Sequence, residues 1–200
     1  MIQEKSTTAI SGYLSFIILL VSLGVAGYGV YSQSIGLIVA GVLLALIMLK
    51  GWLIINPNES AALILFGNYQ GTVRKDGFFW VNPLVIKRTV SLKARNLDGQ
   101  KIKVNDKLGN PIEIAAVVVW QVSDTAKALF AVDDYAKYVQ IQSEAAVRHL
   151  ANQFAYDNFE DEDTAAITLK DGAQQVNGIL ENELNERLAM AGIDVIEARI

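Results

Sequence analysis

Cysteine is missing from this chain, which excludes a disulfide scaffold and any thiolate metal site. Histidine occurs once, at His149, so no multi-histidine metal centre can form within one chain and a His-dependent triad has a single candidate. That histidine falls inside a predicted helix beside Arg148, and its neighbours suggest no serine or cysteine nucleophile. Phosphate-cradling loops are missing as well, since neither G-x-G-x-x-G nor G-x-x-x-x-G-K-[ST] occurs. There is no G-x-S-x-G elbow and no H-E-x-x-H zinc motif. The consecutive carboxylates Glu160, Asp161, Glu162 and Asp163 point in different directions and lack the ordered spacing of a Ca²⁺ loop, so they read as a hydrated acidic loop. Aromatic-basic nucleic-acid motifs are not found, and a net charge of −4 disfavours that partner. The chain is therefore expected to be non-enzymatic, to use no cofactor or metal, and to bind no nucleic acid.

The most informative absence is of charge. From Ser6 to Leu49 there is no Asp, Glu, Lys or Arg, whereas both flanks are densely charged. A membrane-spanning helix needs about 20 apolar residues, and this stretch is roughly twice that. Tyr31-Ser32-Gln33-Ser34 is its polar cluster and reads as a turn. Two spans are expected, Tyr13 to Tyr31 and Ile35 to Leu53, each about 28 Å long at helical rise against a hydrocarbon core of about 30 Å. A re-entrant pair is the other geometry the pattern allows. Tyr13, Tyr28, Tyr31 and Trp52 mark the ends of these segments, where amphipathic rings prefer the headgroup level. Small residues four apart, Ser22/Ala26, Gly36/Ala40 and Gly41/Ala45, would let the helices approach closely or meet a neighbouring copy. Lys5 and Lys50 flank the outer ends and the turn carries no cation, which places both termini and the soluble part on the cytoplasmic side of the cell membrane. A cleaved signal peptide ending near Gly27 would leave that side unchanged, because Ile35 to Leu53 would then stop transfer.

Beyond the anchor the charges separate. Arg74 to Lys107 holds nine basic residues against three acidic ones, a net of +6, and Leu108 to Ile200 holds six against sixteen, a net of −10. A basic juxtamembrane segment is drawn to anionic lipid by ~1 kcal/mol per cation held close. Ile86 to Arg95 alternates as a strand, with Ile86, Arg88, Val90, Leu92 and Ala94 on one face and Lys87, Thr89, Ser91, Lys93 and Arg95 on the other. Lys87, Lys93 and Arg95 form a candidate lipid-facing stripe on that second face. Phe78, Phe79 and Trp80 cannot all point inward from one strand, so one or two of them are candidates for an oligomer contact or a dip into the membrane interface.

Pro57 interrupts helical continuation and leads into a strand from Ala61 to Phe66, which Gly67-Asn68 turns into a partner from Tyr69 to Arg74. Lys101 to Val104 and Ile112 to Val122 flank a hairpin turn at Leu108-Gly109-Asn110-Pro111. The second of these is apolar on both faces and is expected to be central and covered twice. Ser123-Asp124 caps a helix over Thr125 to Phe130, and a longer one follows from Asp133 to Phe154. Asp171 caps another, with Val176, Leu180, Leu184, Leu188 and Ala191 on one stripe and Gly192 as its left-handed end. Ile193 to Ile200 closes as a strand. The order is α+β, with expected divisions into an anchor over 1–55, a strand-rich part over 56–122 and a helix-rich part over 123–200.

Pro57-Asn58-Glu59, Ala61 to Gly67 and Gly77-Phe78-Phe79-Trp80-Val81-Asn82-Pro83 together resemble the opening of the SPFH (band 7) domain shared by stomatins, prohibitins and flotillins. The likeness continues through Lys103-Val104-Asn105-Asp106, Gly109-Asn110-Pro111, Val119-Trp120-Gln121-Val122, Gln142-Ser143-Glu144 to Arg148, Leu184 to Gly192 and Val195 to Ile200. It covers Asn56 to Ile200, and the hairpin before it is similar to stomatin-type membrane attachment. The resemblance implies an α+β SPFH-type domain behind a two-helix transmembrane hairpin. It also implies a non-enzymatic membrane scaffold that forms homo-oligomers, gathers membrane lipids and proteins, and attends AAA-type membrane proteases or other membrane-protein clients. A membrane-tethered adaptor or receptor for one client is the alternative. Family members usually continue into a coiled-coil helix where this sequence ends at Ile200, so either a piece of a longer chain or a less extensive assembly is expected.

Overall fold

The uncharged stretch folds into two helices, α1 (Gly12–Tyr31) and α2 (Ile35–Lys50), in the computed structural model, which describes residues 4–157, 168–170 and 172–200. The acidic run from Glu160 to Asp163 and the cap expected at Asp171 lie outside the described residues. A helix satisfies its backbone polar groups internally, which is the condition for an apolar segment away from water. The turn between the two is closed by Ser32 N–H donating to the Tyr28 carbonyl at 2.9 Å and Ser34 N–H to Gly29 at 2.9 Å, with Gln33 at φ 55°. Helix α1 is long and apolar enough to cross a membrane, while α2 has 16 residues and ends at Lys50 rather than at the expected Leu53. Trp52 and Leu53 are drawn out of the helix because they find ladder partners in Trp80 and Phe79.

The chain divides into two compact units, 4–91 and 92–200, which cut across the divisions expected after residues 55 and 122. In the first, β1 (Ile10–Ser11), β2 (Trp52–Ile55) and β5 (Gly77–Trp80) form an antiparallel sheet in the order β1-β5-β2. A second antiparallel sheet, β4-β3-β6, is built from β3 (Glu59–Leu65), β4 (Asn68–Val73) and β6 (Ile86–Ser91). Phe66 and Gly67, at φ 48° and 84°, make the tight turn between β3 and β4. Leu53, Ile55, Ala61, Leu63, Val73 and Val81 make the core of this unit. Strand β6 does not run on to Arg95 as the alternation predicted. Its partner β3 begins at Glu59, opposite Ser91, because Asn56 to Glu59 form a turn with Asn58 at φ 59°. Beyond Ser91 there is no ladder to join.

In the second unit β7 (Arg95–Asp98), β10 (Val117–Val122) and β11 (Ile193–Arg199) make an antiparallel sheet in the order β11-β10-β7. Strands β8 (Ile102–Asn105) and β9 (Pro111–Ile114) form a separate hairpin. The strand expected from Ile112 to Val122 is therefore two, parted at Ala115 and Ala116, where the chain changes sheets. Gly99 makes that change possible: its N–H donates to the Ala116 carbonyl at 2.9 Å, and a Cβ there would meet the same oxygen at 2.5 Å. Strand β10 is central, but its second face is not covered throughout, since Val117 is exposed and Val119 half-buried. Helices α3 (Thr125–Phe130), α4 (Tyr135–Gln153) and α5 (Ala173–Leu188) follow. The Asp124 carboxylate accepts from Lys127 N–H at 2.8 Å and that of Asp134 from Ala136 N–H at 2.9 Å, each an N-cap. Val139, Val147 and Leu150 on α4 and Val176, Leu180, Leu184 and Leu188 on α5 are buried, as their spacing predicts, and Gly192 ends the helical stretch at φ 65°.

Candidate membrane-interface site

The helical hairpin is held by small residues. A Cβ on Gly41 would lie 2.7 Å from the Ser22 carbonyl oxygen and 2.8 Å from Ala26 N, and one on Gly29 would lie 2.8 Å from Ile38 N. Of the small pairs seen in the sequence, Ser22/Ala26 therefore faces Gly41/Ala45 across the hairpin, whereas Gly36 has open space around it and Ala40 is exposed. Ser15 and Ser22 are buried on α1 and donate to the carbonyls of Gly12 and Leu19, each at 2.7 Å, so neither hydroxyl is left unpaired. The outward faces are apolar: Leu14, Ile17, Leu20 and Val21 on α1, and Val39, Leu43, Leu46 and Ile47 on α2, are all exposed. A protein in water rarely leaves so continuous an apolar surface uncovered.

At the open end of the hairpin an aromatic cluster joins helices to sheet. The Trp52 ring stands edge-on to Phe78 at 5.4 Å, Phe78 edge-on to Tyr13 at 5.8 Å, and Phe16 lies 6.2 Å from Trp52. The Trp52 indole N–H donates to Ser15 Oγ at 3.1 Å, and that of Trp80 donates to the Met48 carbonyl at 3.1 Å. Alternation along β5 sends Phe78 and Trp80 to the helices and Phe79 against the core of the unit, which resolves the three-aromatic run. Tyr28 and Tyr31 lie at the opposite end, 6.4 Å apart beside the turn.

The last carbonyls of a helix have no partner within it. Here the Lys87 ammonium supplies one, donating to the carbonyls of Lys50 at 3.1 Å and Trp52 at 2.5 Å. Burial of this ammonium lowers its pKa from the ordinary lysine value. Lys87 thus turns inward to close α2, Lys93 is exposed in the connection after β6, and Arg95 on β7 lies over the rings of Trp120 and Tyr135, 5.5 Å from each centroid. The three cations do not share one strand face, since that strand is broken after Ser91. Sequence reasoning passed over Ser15 and took Ser22 as a small residue alone; polar residues inside an uncharged run were the available signal.

The segment before α1 is tied to the same sheets as the segment after α2. Thr7 N–H donates to the Thr72 carbonyl at 3.0 Å, Thr72 N–H to Lys5 at 2.8 Å, and Arg74 Nε to Glu4 Oε1 at 3.1 Å. Ile10 and Ser11 then pair with Trp80 and Phe79. Both flanks of the hairpin are accordingly stitched into one β unit. In the other unit His149 Nδ1 lies 3.0 Å from Glu183 Oε1, which Arg187 also contacts at 2.6 Å, an ion cluster between helices with no nucleophile in it. The model of one family, described as SPFH domain / Band 7 family, matches residues 53–200. No curated protein matches the chain.

Proposed function

The chain belongs to the SPFH domain / Band 7 family, and from that membership we propose that it is a non-enzymatic, hairpin-anchored membrane scaffold that self-associates and gathers lipids and membrane proteins, with a membrane protease as one client class. The observation that carries this reading is the hairpin itself, apolar on its outward faces and tied at both flanks to one β unit. Lys5 and Lys50 at those flanks favour the cytoplasmic side for them. The cluster of Tyr13, Trp52, Phe78 and Trp80 then sits at the headgroup level, while Lys87 and Arg95 serve the protein's own packing.

Mass measurement of the complex extracted with its native lipid tests the scaffold directly. The expected particle is many times the chain mass of 21.8 kDa and contains this chain as its main protein. A single copy bound to one stoichiometric partner would instead establish the adaptor reading.

A further inference from the structure

Charge is missing from two further stretches of the first unit, Ser60 to Val73 and Gly77 to Ile86. Each contains a turn: Phe66-Gly67 between β3 and β4, and Asn82 to Val85 between β5 and β6. The two turns lie at the same end of the unit, because Ile64 pairs with Ile86 across β3 and β6. That end is tied to the end of α2. The Trp80 indole donates to the Met48 carbonyl at 3.1 Å, Val81 N–H to Gly51 at 2.9 Å and the Lys87 ammonium to Lys50 at 3.1 Å. Leu84 is three residues from both Val81 and Lys87, and at the reach of an extended chain it lies within about 11 Å of each.

The side chains at this end are apolar and uncovered. Phe66 is 80 % exposed, and Leu84 and Ile86 are 57 % exposed each. At the opposite end the turns expose Asn56, Pro57, Asn58, Arg74, Lys75 and Asp76, and no large apolar side chain. The apolar end is also built to present its residues. Leu84 N–H donates to Asn82 Oδ1 at 2.9 Å and Val85 N–H to the Asn82 carbonyl at 3.0 Å, which fixes the turn that carries Leu84. Phe66 holds φ 48°, a left-handed conformation that Gly or Asn adopts at less cost than a bulky residue, so its ring is not there for the sake of the turn.

We propose that Phe66, Leu84 and Ile86 form a wedge that enters the bilayer leaflet at which α2 ends, a lipid contact separate from the aromatic cluster at the base of the hairpin. The wedge rests on the reading of the hairpin as a membrane anchor, since the ties to α2 set its level. Interfacial segments bury their apolar face about 5–10 Å into the headgroup and acyl boundary, which is within that reach. Two uncharged turns carry no group whose desolvation would oppose entry. A second copy is a poorer occupant, because a stable protein interface takes about 20–30 residues a side and this patch is three side chains on two turns.

The test uses the full chain in phosphatidylcholine vesicles that carry a nitroxide either near the headgroup end of the acyl chain or near its tail. Bimane is attached to single cysteines at Leu20→Cys on the outward face of α1, Phe66→Cys, Leu84→Cys and, at the opposite end of the unit, Lys75→Cys. The labels at 66 and 84 are expected to lose fluorescence to the shallow nitroxide, the label at 20 to the deep one, and the label at 75 to neither. In nanodiscs the Ile86 methyl signal of the unsubstituted chain should broaden with the shallow nitroxide, which reads the same end without a label. Loss at 20 with none at 66 and 84, or an Ile86 methyl left sharp, would overturn the wedge and leave the anchor standing. A label at 84 that shifts to the blue yet escapes quenching would overturn it too, in favour of cover by protein. No loss at 20 would remove the anchor reading and the wedge with it.

Discussion

Gly41 sits where α1 and α2 come closest, and its lack of a side chain is what allows the contact. Any Cβ there meets backbone, at 2.7 Å from the Ser22 oxygen and 2.8 Å from Ala26 N, so no side-chain rotation relieves it. The helices must part instead, losing the dispersion contacts that hold two apolar helices together in lipid. Gly41→Leu is expected to destabilise the hairpin by about 1–3 kcal/mol, the range for overpacking a close contact. Gly36→Leu, on the same helix with open space around it, is expected to have no such effect. Helical circular dichroism followed through a titration with sodium dodecyl sulfate reads both: the midpoint should fall for the Gly41 variant alone. Equal midpoints for the two variants would show that the small-residue contact does not hold the helices.

At the scale of elements, the β8–β9 hairpin shows how one side chain organises a turn. The buried Asp106 carboxylate accepts from Leu108 N–H at 3.0 Å, Asn110 N–H at 2.7 Å, the Asn110 amide at 3.2 Å and Tyr156 N–H at 3.1 Å. Burial alone would raise its pKa, but these bonds to the ionised form outweigh it and hold the pKa below the ordinary value of 3.8. A folded-state pKa below the unfolded one means that the stabilisation is complete above the unfolded value and is lost as pH falls through the folded value. Asp106→Asn should therefore lower the thermal midpoint at pH 7, and the gap between variant and parent should close as the pH is taken below the carboxylate range. A gap of the same size at both ends would mean that the charge does not matter.

Elements were legible in the sequence where their signal is local. The cap Asp124 and the stripe of Val176, Leu180, Leu184 and Leu188 each announce themselves within one or two turns of chain. What the sequence hid was set by partners far along the chain. Alternation continues from Ile86 to Arg95, yet β6 ends where β3 begins, and no residue near Ser91 records the position of Glu59. Ala115 and Ala116 look like strand, but the sheet change there depends on Gly99. Trp52 and Leu53 look like helix and are claimed by β5. Of the clustered aromatics, Tyr13, Trp52, Phe78 and Trp80 are candidates in the sequence because rings beside an apolar run are a compositional signal, whereas Phe16, inside the run, is not. The inward turn of Lys87 is not legible there, because it answers to the carbonyls of Lys50 at the end of α2 and Trp52 at the start of β2, 37 and 35 residues back along the chain.

For the whole molecule the decisive relation is that the hairpin leaves and re-enters one β unit. Lys5 and Thr7 are hydrogen-bonded to Thr72, and Ile10 pairs with Trp80, so the segment before α1 cannot lie on the opposite side of a bilayer from the segment after α2 without breaking those ladders. Breaking them would leave backbone donors and acceptors unpaired in a partly buried sheet, each at a cost of roughly 1–3 kcal/mol. The chain has no cysteine, so a single one placed by substitution is the sole reactive thiol. Thr8→Cys lies before α1, Asp76→Cys in the exposed turn before β5, and Gln33→Cys at the tip of the hairpin. In sealed vesicles of one orientation, a membrane-impermeant maleimide should reach Thr8→Cys and Asp76→Cys from the same side. Gln33→Cys should react from the other side if both helices span, and from neither side if α2, at 16 residues, leaves the tip inside the bilayer. Labelling of the Thr8 and Asp76 variants from opposite sides would overturn the shared-unit anchor, because the ladders that join its two flanks could not then exist in the membrane.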